Sequence, residues 1–128
     1  FISGNEKERT HLMSAIANYV IELFNYKVLY VNATEINKLT SNIDVLLIDE
    51  LEHLSSEEES KLIEIIKTFQ SNKKQIVLGS NKMLDELNIS NNLKEVINWG
   101  MSVNIEQNNN KPKKKDLFDY NWLEDNDE

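Results

Sequence analysis

Apolar positions along this chain alternate between short continuous runs and stripes at helical spacing. Val45-Leu46-Leu47-Ile48 runs straight into Asp49-Glu50, the pattern of a strand buried on both faces and ending at an acidic tip. Upstream, Phe1-Ile2-Ser3 reads as the end of a strand that enters a loop from Gly4 to Arg9. Leu12, Ala15, Ile16, Tyr19, Val20 and Leu23 recur at intervals of three and four, which predicts a helix from Thr10 to about Phe24. Val28 to Val31 forms the next strand, Asn32-Ala33-Thr34 a turn, and Glu35 to Leu39 a short helix. The acidic-tipped strand spans Ile43 to Asp49. Ser55 then opens a second long helix with carboxylates in its first turn and an apolar face of Leu62, Ile65, Ile66 and Phe69. Gln75 to Ser80 is a strand, Met83 to Leu87 a helical turn, Leu93 to Trp99 a helix and Met101 to Ile105 the last strand. Strands and helices alternating with short connections predict an α/β domain with a mostly parallel sheet. Tyr19, Tyr26, Tyr30 and the methionines are expected in the core.

Composition narrows the functional classes. At 128 residues the chain makes one domain, and its 40% apolar content is that of an ordinary water-soluble protein. A net charge of −8 disfavours a general grip on nucleic acid, whose phosphates call for Lys and Arg. Without cysteine there is no disulfide framework, thiol nucleophile or thiolate metal site. His11 and His53 have no second ligand at metal spacing, so no metal site is expected. No run reaches the roughly 18 apolar residues that span a bilayer, and no signal peptide is visible. The expected location is cytoplasmic, without membrane contact. The first residue is Phe1 and not Met, consistent with an excerpt of something longer. Residues 108–128 change character: an Asn- and Lys-rich linker leads into an acidic tail with the composition of a disordered segment.

A strand ending in Asp-Glu is the kind of element that supplies a Mg²⁺ ligand and a water-polarising carboxylate in phosphate-loop ATPases. Such a site also needs a loop rich in glycine, so that backbone N–H groups close on the phosphates, and a Lys followed by Ser or Thr. Here the loop between the first strand and first helix reads Gly4-Asn5-Glu6-Lys7-Glu8-Arg9-Thr10, with one glycine and with Arg9 at the lysine position. Glu6 and Glu8 place negative charge where phosphate would sit. Like charges at roughly 4 Å near a surface repel by several kcal/mol, and the helix N-terminus offsets about 1–2 kcal/mol of that. ATP and Mg²⁺ are therefore disfavoured, and no cofactor is expected. The remnant of a nucleotide site would comprise Gly4, Arg9, Thr10, Asp49 and Glu50. Arg9 has two readings: an anion-binding group, or a partner for Asp49 or Glu50 that fills the phosphate position itself.

Five blocks of the chain resemble the AAA+ core of the bacterial replication initiator DnaA family. Phe1 to Gly4 with Thr10 to Asn18 is similar to its Walker A region, and Val28 to Val31 to its second strand. Asp44 to Leu54 is similar to its Walker B segment, Gln75 to Asn81 to its sensor 1 strand, and Trp99 to Ile105 to the strand that closes the core. The resemblance covers residues 1–107. It implies a five-stranded parallel P-loop NTPase sheet of AAA+ type, flanked by helices and without the lid domain. It also implies Mg²⁺-ligand, Walker B and sensor 1 roles for Thr10, Asp49 and Asn81.

The departures from the family pattern bear on function. The loop is one residue short and has lost its lysine, and the arginine finger position, aligned on Trp99, falls on Val96. Between Val31 and Asp44 there is no room for the helix pair that contacts single-stranded DNA in initiators. The expectation is a non-catalytic module, not an enzyme, acting through protein–protein contacts with a replication initiator or another replication protein in initiation or its regulation. Direct DNA binding by this chain is not expected. The alternative is the ATP-binding core of a divergent initiator or helicase loader, or an ATP-responsive switch using Thr10, Asp49 and Asn81. In the tail, Lys114-Lys115-Asp116-Leu117-Phe118 resembles half of the peptide that docks bacterial proteins into the sliding clamp, with Leu117 and Phe118 as anchors; the DnaA-like regulator Hda joins such a peptide to an AAA+ core.

Overall fold

The computed structural model describes residues 1–38 and 42–105. Five parallel strands, β1 (Ile2–Ser3), β2 (Val28–Asn32), β3 (Val45–Asp49), β4 (Gln75–Ser80) and β5 (Val103–Asn104), form one sheet in the order β2-β3-β4-β1-β5. Three helices cover it: α1 (Glu6–Phe24), α2 (Ser56–Ser71) and α3 (Asn91–Ile97). Parallel strands need crossover connections, and helices supply them.

β3 is buried at all five positions, as its unbroken apolar run requires. Its side chains alternate between two cores. Val45 and Leu47 pack with Met13 and Ala17 of α1, while Leu46 and Ile48 pack with Leu62 and Ile66 of α2 and Leu93, Val96 and Ile97 of α3. The sheet is thus sandwiched, with α1 on one face and α2 and α3 on the other. β3 also sits in the middle of the register, Asn32 pairing with Asp49 on one side and Leu78 with Ile48 on the other. That arrangement delivers the acidic tip to the sheet's carboxyl edge between β2 and β4.

Capping explains most boundary differences from the sequence expectation. α1 starts at Glu6 and not Thr10, because the Asn5 side chain accepts the Glu8 N–H at 3.1 Å and absorbs an orphan donor of the first turn. The expected loop therefore shrinks to Gly4 and Asn5. Ser90 likewise starts α3 two residues before Leu93 by accepting the Leu93 N–H. The turn expected after β2 is already a 3₁₀ helix, Ala33–Lys38. The strand expected from Ile43 begins at Val45, and β5 is only Val103–Asn104.

Two core expectations fail. Tyr19, Tyr26, Met83 and Met101 are exposed, although Met13 is fully buried and Tyr30 half-buried. On α1 the row Met13, Ala17 and Val20 runs from buried to half-buried, with Leu12 and Ile16 of the expected stripe half-buried beside it, while Ala15, Tyr19 and Leu23 of that stripe are exposed. Phe24 continues that row at i+4 from Val20 and is still 52% exposed. The last turn of α1 has run beyond what covers it.

Candidate functional site

The site lies at the carboxyl edge of β1, β3 and β4. Gly4 leaves β1 at φ 153°, a conformation that L side chains rarely adopt. Helix α1 follows at once, so Arg9 falls in its first turns, its N–H bonded to the Asn5 carbonyl at 3.0 Å. The Arg9 side chain does not reach outward. It turns beneath the helix, where Nε donates to Asp49 Oδ1 at 2.6 Å and Nη1 to the Gly4 carbonyl at 2.7 Å. Only 1% of Arg9 is exposed. An unpaired cation at that depth would be prohibitive, so the pair is the condition for its burial.

Asp49 is equally committed. Its Oδ1 also accepts the Glu50 N–H at 2.8 Å, and its carboxyl is buried. Gly79 of β4 makes the arrangement possible: a Cβ there would sit 2.5 Å from Asp49 Oδ1, 2.8 Å from Met13 Sδ and 3.2 Å from Arg9 Cδ. Tyr30, on the neighbouring strand, borders the same group. Burial pushes its phenol pKa up, and the Asp49 charge and a hydrogen bond to that carboxylate add to the rise, while Thr10 and Arg9 oppose it.

Glu50 stands in left-handed backbone at φ 61° and ψ 49° and turns the chain into a 3₁₀ helix, Leu51–His53. His53 Nε2 lies 3.7 Å from Glu50 Oε1 and 3.9 Å from Glu52 Oε2. Glu52 in turn accepts the Asn81 N–H at 3.1 Å, tying the loop after β4 to the loop after β3.

The six expected site residues do not converge on one cavity. Thr10, Asp49 and Glu50 line a cavity of about 330 Å³ together with Tyr30, Asn32 and Glu35. Gly4 and Asn81 line a separate one of about 550 Å³ with Asn5, Glu6 and Glu86. Arg9 lines neither; of its two readings, the intramolecular partner for Asp49 is the one adopted. Among the described residues no group of three or more His, Cys, Asp or Glu is placed to hold a metal ion. Val96, which the resemblance aligned on Trp99 sets at the arginine finger position, is buried in the core against α2. Leu117 and Phe118 lie outside the described residues.

Sequence reasoning missed Tyr30 and Asn32. Tyr30 was assigned to the core, yet it borders Asp49; Asn32 pairs in register with Asp49, and its Oδ1 is buried without a protein hydrogen-bond partner. The available signal was positional: both lie on the strand beside the acidic one, Asn32 at its end. Gly79 was legible only as a glycine in a strand, a mark of close approach.

The family model for the bacterial DnaA ATPase domain matches residues 1–104. The chromosomal replication initiator protein DnaA of Lachnoclostridium phytofermentans is 32% identical over 77% of this chain and 26% of its own length. That of Chlorobaculum tepidum is 30% identical over 77% of this chain and 24% of its own. This chain thus spans about a quarter of the curated relatives it matches. Among solved structures, a DNA replication initiation factor superposes with a TM-score of 0.74 at 28% identity, covering 86% of this chain and 40% of that one. The AMPPCP-bound DnaA of Aquifex aeolicus superposes at 0.75, with 24% identity over 94% of this chain and 48% of that one, a likeness of fold. By sequence and by architecture, this chain belongs to the bacterial DnaA ATPase-domain family.

Proposed function

We propose that this chain is a DnaA-type AAA+ scaffold that acts through protein–protein contact in replication initiation or its regulation, without binding or hydrolysing nucleotide. One observation carries the reading. The Arg9 guanidinium is bonded to Asp49 and to the Gly4 carbonyl, so the acid of β3 and the first loop carbonyl are engaged within the chain. The residues do not fit ATP and Mg²⁺. Loop backbone that would cradle phosphate is reduced to Gly4 and Asn5, and α1 begins at once with Glu6 and Glu8 in its first turn. Carboxylates there oppose an anion that a helix N-terminus would otherwise favour. The degenerate loop and the buried Val96 together remove both halves of an intersubunit ATPase site. The partner this favours is a replication initiator bearing its own AAA+ domain, and the net charge of −8 argues against DNA as the direct ligand.

A second reading rests on the cavity that joins Thr10, Asp49 and Glu50. It makes the chain the nucleotide-binding core of a longer initiator or helicase loader. Calorimetric titration of ATP and ADP with Mg²⁺ decides between the two, with Thr10→Ala as the control because Thr10 is exposed and its loss spares the core. No heat up to millimolar nucleotide is the expected result. Micromolar binding that Thr10→Ala abolishes would overturn the scaffold and install the second reading. For the partner, co-sedimentation with an initiator AAA+ domain is expected at tens of micromolar, and its absence would remove that partner.

A further inference from the structure

The exposed end of α1 carries an aromatic surface that neither the fold nor the carboxyl-edge site uses. Tyr19, Leu23 and Phe24, with Tyr26 just beyond the helix, are 46–59% exposed. Their rings touch: Phe24 stacks on Tyr26 with centroids 5.3 Å apart, and Tyr19 meets Phe24 edge-on at 6.4 Å. Scattered apolar residues on a surface need no explanation, but a contiguous aromatic cluster does. Phe24 moreover prolongs the row Met13–Ala17–Val20, which runs from buried to half-buried, so among the described residues the apolar face continues outward here without a cover.

We propose that this surface is the docking site of the chain's own C-terminal segment, Leu117 to Leu123. Three observations select that occupant over a foreign one. The first is composition: Leu117, Phe118, Tyr120, Trp122 and Leu123 are interleaved with Asp116 and Asp119 and followed by Glu124 and Asp125.

The second is reach. Ile105 bonds through its N–H to the Ser3 carbonyl and packs against the buried cluster of Ile2, Met13, Ala17, Val45 and Leu47, so the chain leaves the sheet on the α1 face. At about 1.5 Å per residue α1 is about 28 Å long. At about 3.3 Å per residue the dozen residues from Ile105 to Leu117 span about 40 Å. The segment reaches the far end of α1 with slack.

The third is charge. Backbone bonds from Asp44 to Lys27 and from Gln75 to Asp44 place Lys27, Lys73 and Lys74 at the amino edge of the sheet, the end where α1 finishes. Asp44, whose carboxylate accepts the Lys27 backbone N–H, and Glu22 offset part of that charge. The opposite edge carries Glu6, Glu35, Glu50, Glu52, Asp85 and Glu86 against Lys7 and Lys82, and its net negative charge repels an acidic segment. An acidic-aromatic strip is therefore directed to the aromatic end.

The full chain offers a direct test, because its two tryptophans are Trp99 and Trp122. Trp99→Phe, at a side chain 54% exposed, leaves Trp122 as the sole reporter. Docking predicts blue-shifted Trp122 emission and an acrylamide quenching constant about threefold below that of the same protein carrying Phe24→Ser and Tyr26→Ser, as expected for a ring withdrawn from water onto other rings. Both serines replace half-exposed rings, and an unchanged far-UV circular dichroism spectrum confirms the fold. Should that variant fail to fold, Lys27→Glu with Lys74→Glu replaces it and is expected to release Trp122 likewise. Equal quenching with and without the substitutions overturns the proposal. So does protection that grows with protein concentration, which assigns the surface to a second copy.

Discussion

Arg9 shows how one side chain in the first turns of a helix can engage the acid of a neighbouring strand from within. A lysine at that position would present a point charge outward; the longer, planar guanidinium instead forks between Asp49 and the Gly4 carbonyl. Because both side chains are almost wholly buried, removing one leaves the other uncompensated. Arg9→Ala is expected to lower unfolding stability by about 3–5 kcal/mol, read as a shift in urea midpoint without a change of slope. The double replacement Arg9→Met with Asp49→Leu is expected to recover most of that loss, since two apolar groups need no partner. Tyr30 tests the same neighbourhood from its alkaline side. Its folded pKa is raised above the ordinary value of 10.0 by burial and by Asp49. The proton is held more tightly in the folded state, so the associated stability is complete below pH 10.0 and is lost as pH rises through the folded pKa. Tyr30→Phe should therefore flatten the alkaline fall in stability relative to the parent, measured by urea unfolding at a series of pH values.

At the scale of elements, capping residues set the boundaries that hydrophobic spacing leaves open. Ser55 and Glu58 form a reciprocal box, the Ser55 hydroxyl accepting the Glu58 N–H at 3.3 Å and the Glu58 carboxylate accepting the Ser55 N–H at 2.9 Å. Ser55→Ala is expected to cost α2 about 1 kcal/mol, visible in chemical denaturation and independent of any change at Arg9, from which it makes no shared contact. That box was legible in the sequence because its spacing is diagnostic. β3 was legible for the same kind of reason: four apolar residues before a charged pair admit few other structures. The start of α1 was not, because Asn5 caps through a single hydrogen bond and Glu6-Lys7-Glu8 carries no apolar signal. The exposure of Tyr19 and Tyr26 was not legible either. Spacing reports which residues share a helix face, but the length over which a sheet covers that face is a property of the assembled fold. In the site, the Arg9–Asp49 pair was among the sequence readings, whereas the separation of Asn81 from Asp49 into different cavities depends on where the loops come to rest.

For the whole molecule, Asp49 supplies internally the negative charge that balances Arg9, where an anion-binding loop would take that balance from a ligand. The cores on both faces of the sheet close around this pair, and the five-stranded order is complete among the described residues. On the scaffold proposal such a domain gains no stability from nucleotide, and linkage turns this into a number. A ligand present at about 100 times its dissociation constant stabilises the folded state by about 2.7 kcal/mol. For a domain of this size that is a rise of roughly 5–20 °C in Tm. The expected result with 128 residues of this sequence and millimolar Mg-ATP is no shift beyond that given by Mg²⁺ with an inert salt of equal ionic strength. The same scan on an ATP-binding member of the family should move upward and so validates the conditions. A nucleotide-specific rise in this chain, abolished by Thr10→Ala, would mean that Arg9 yields its place to phosphate, and the scaffold reading would give way to a ligand-gated one.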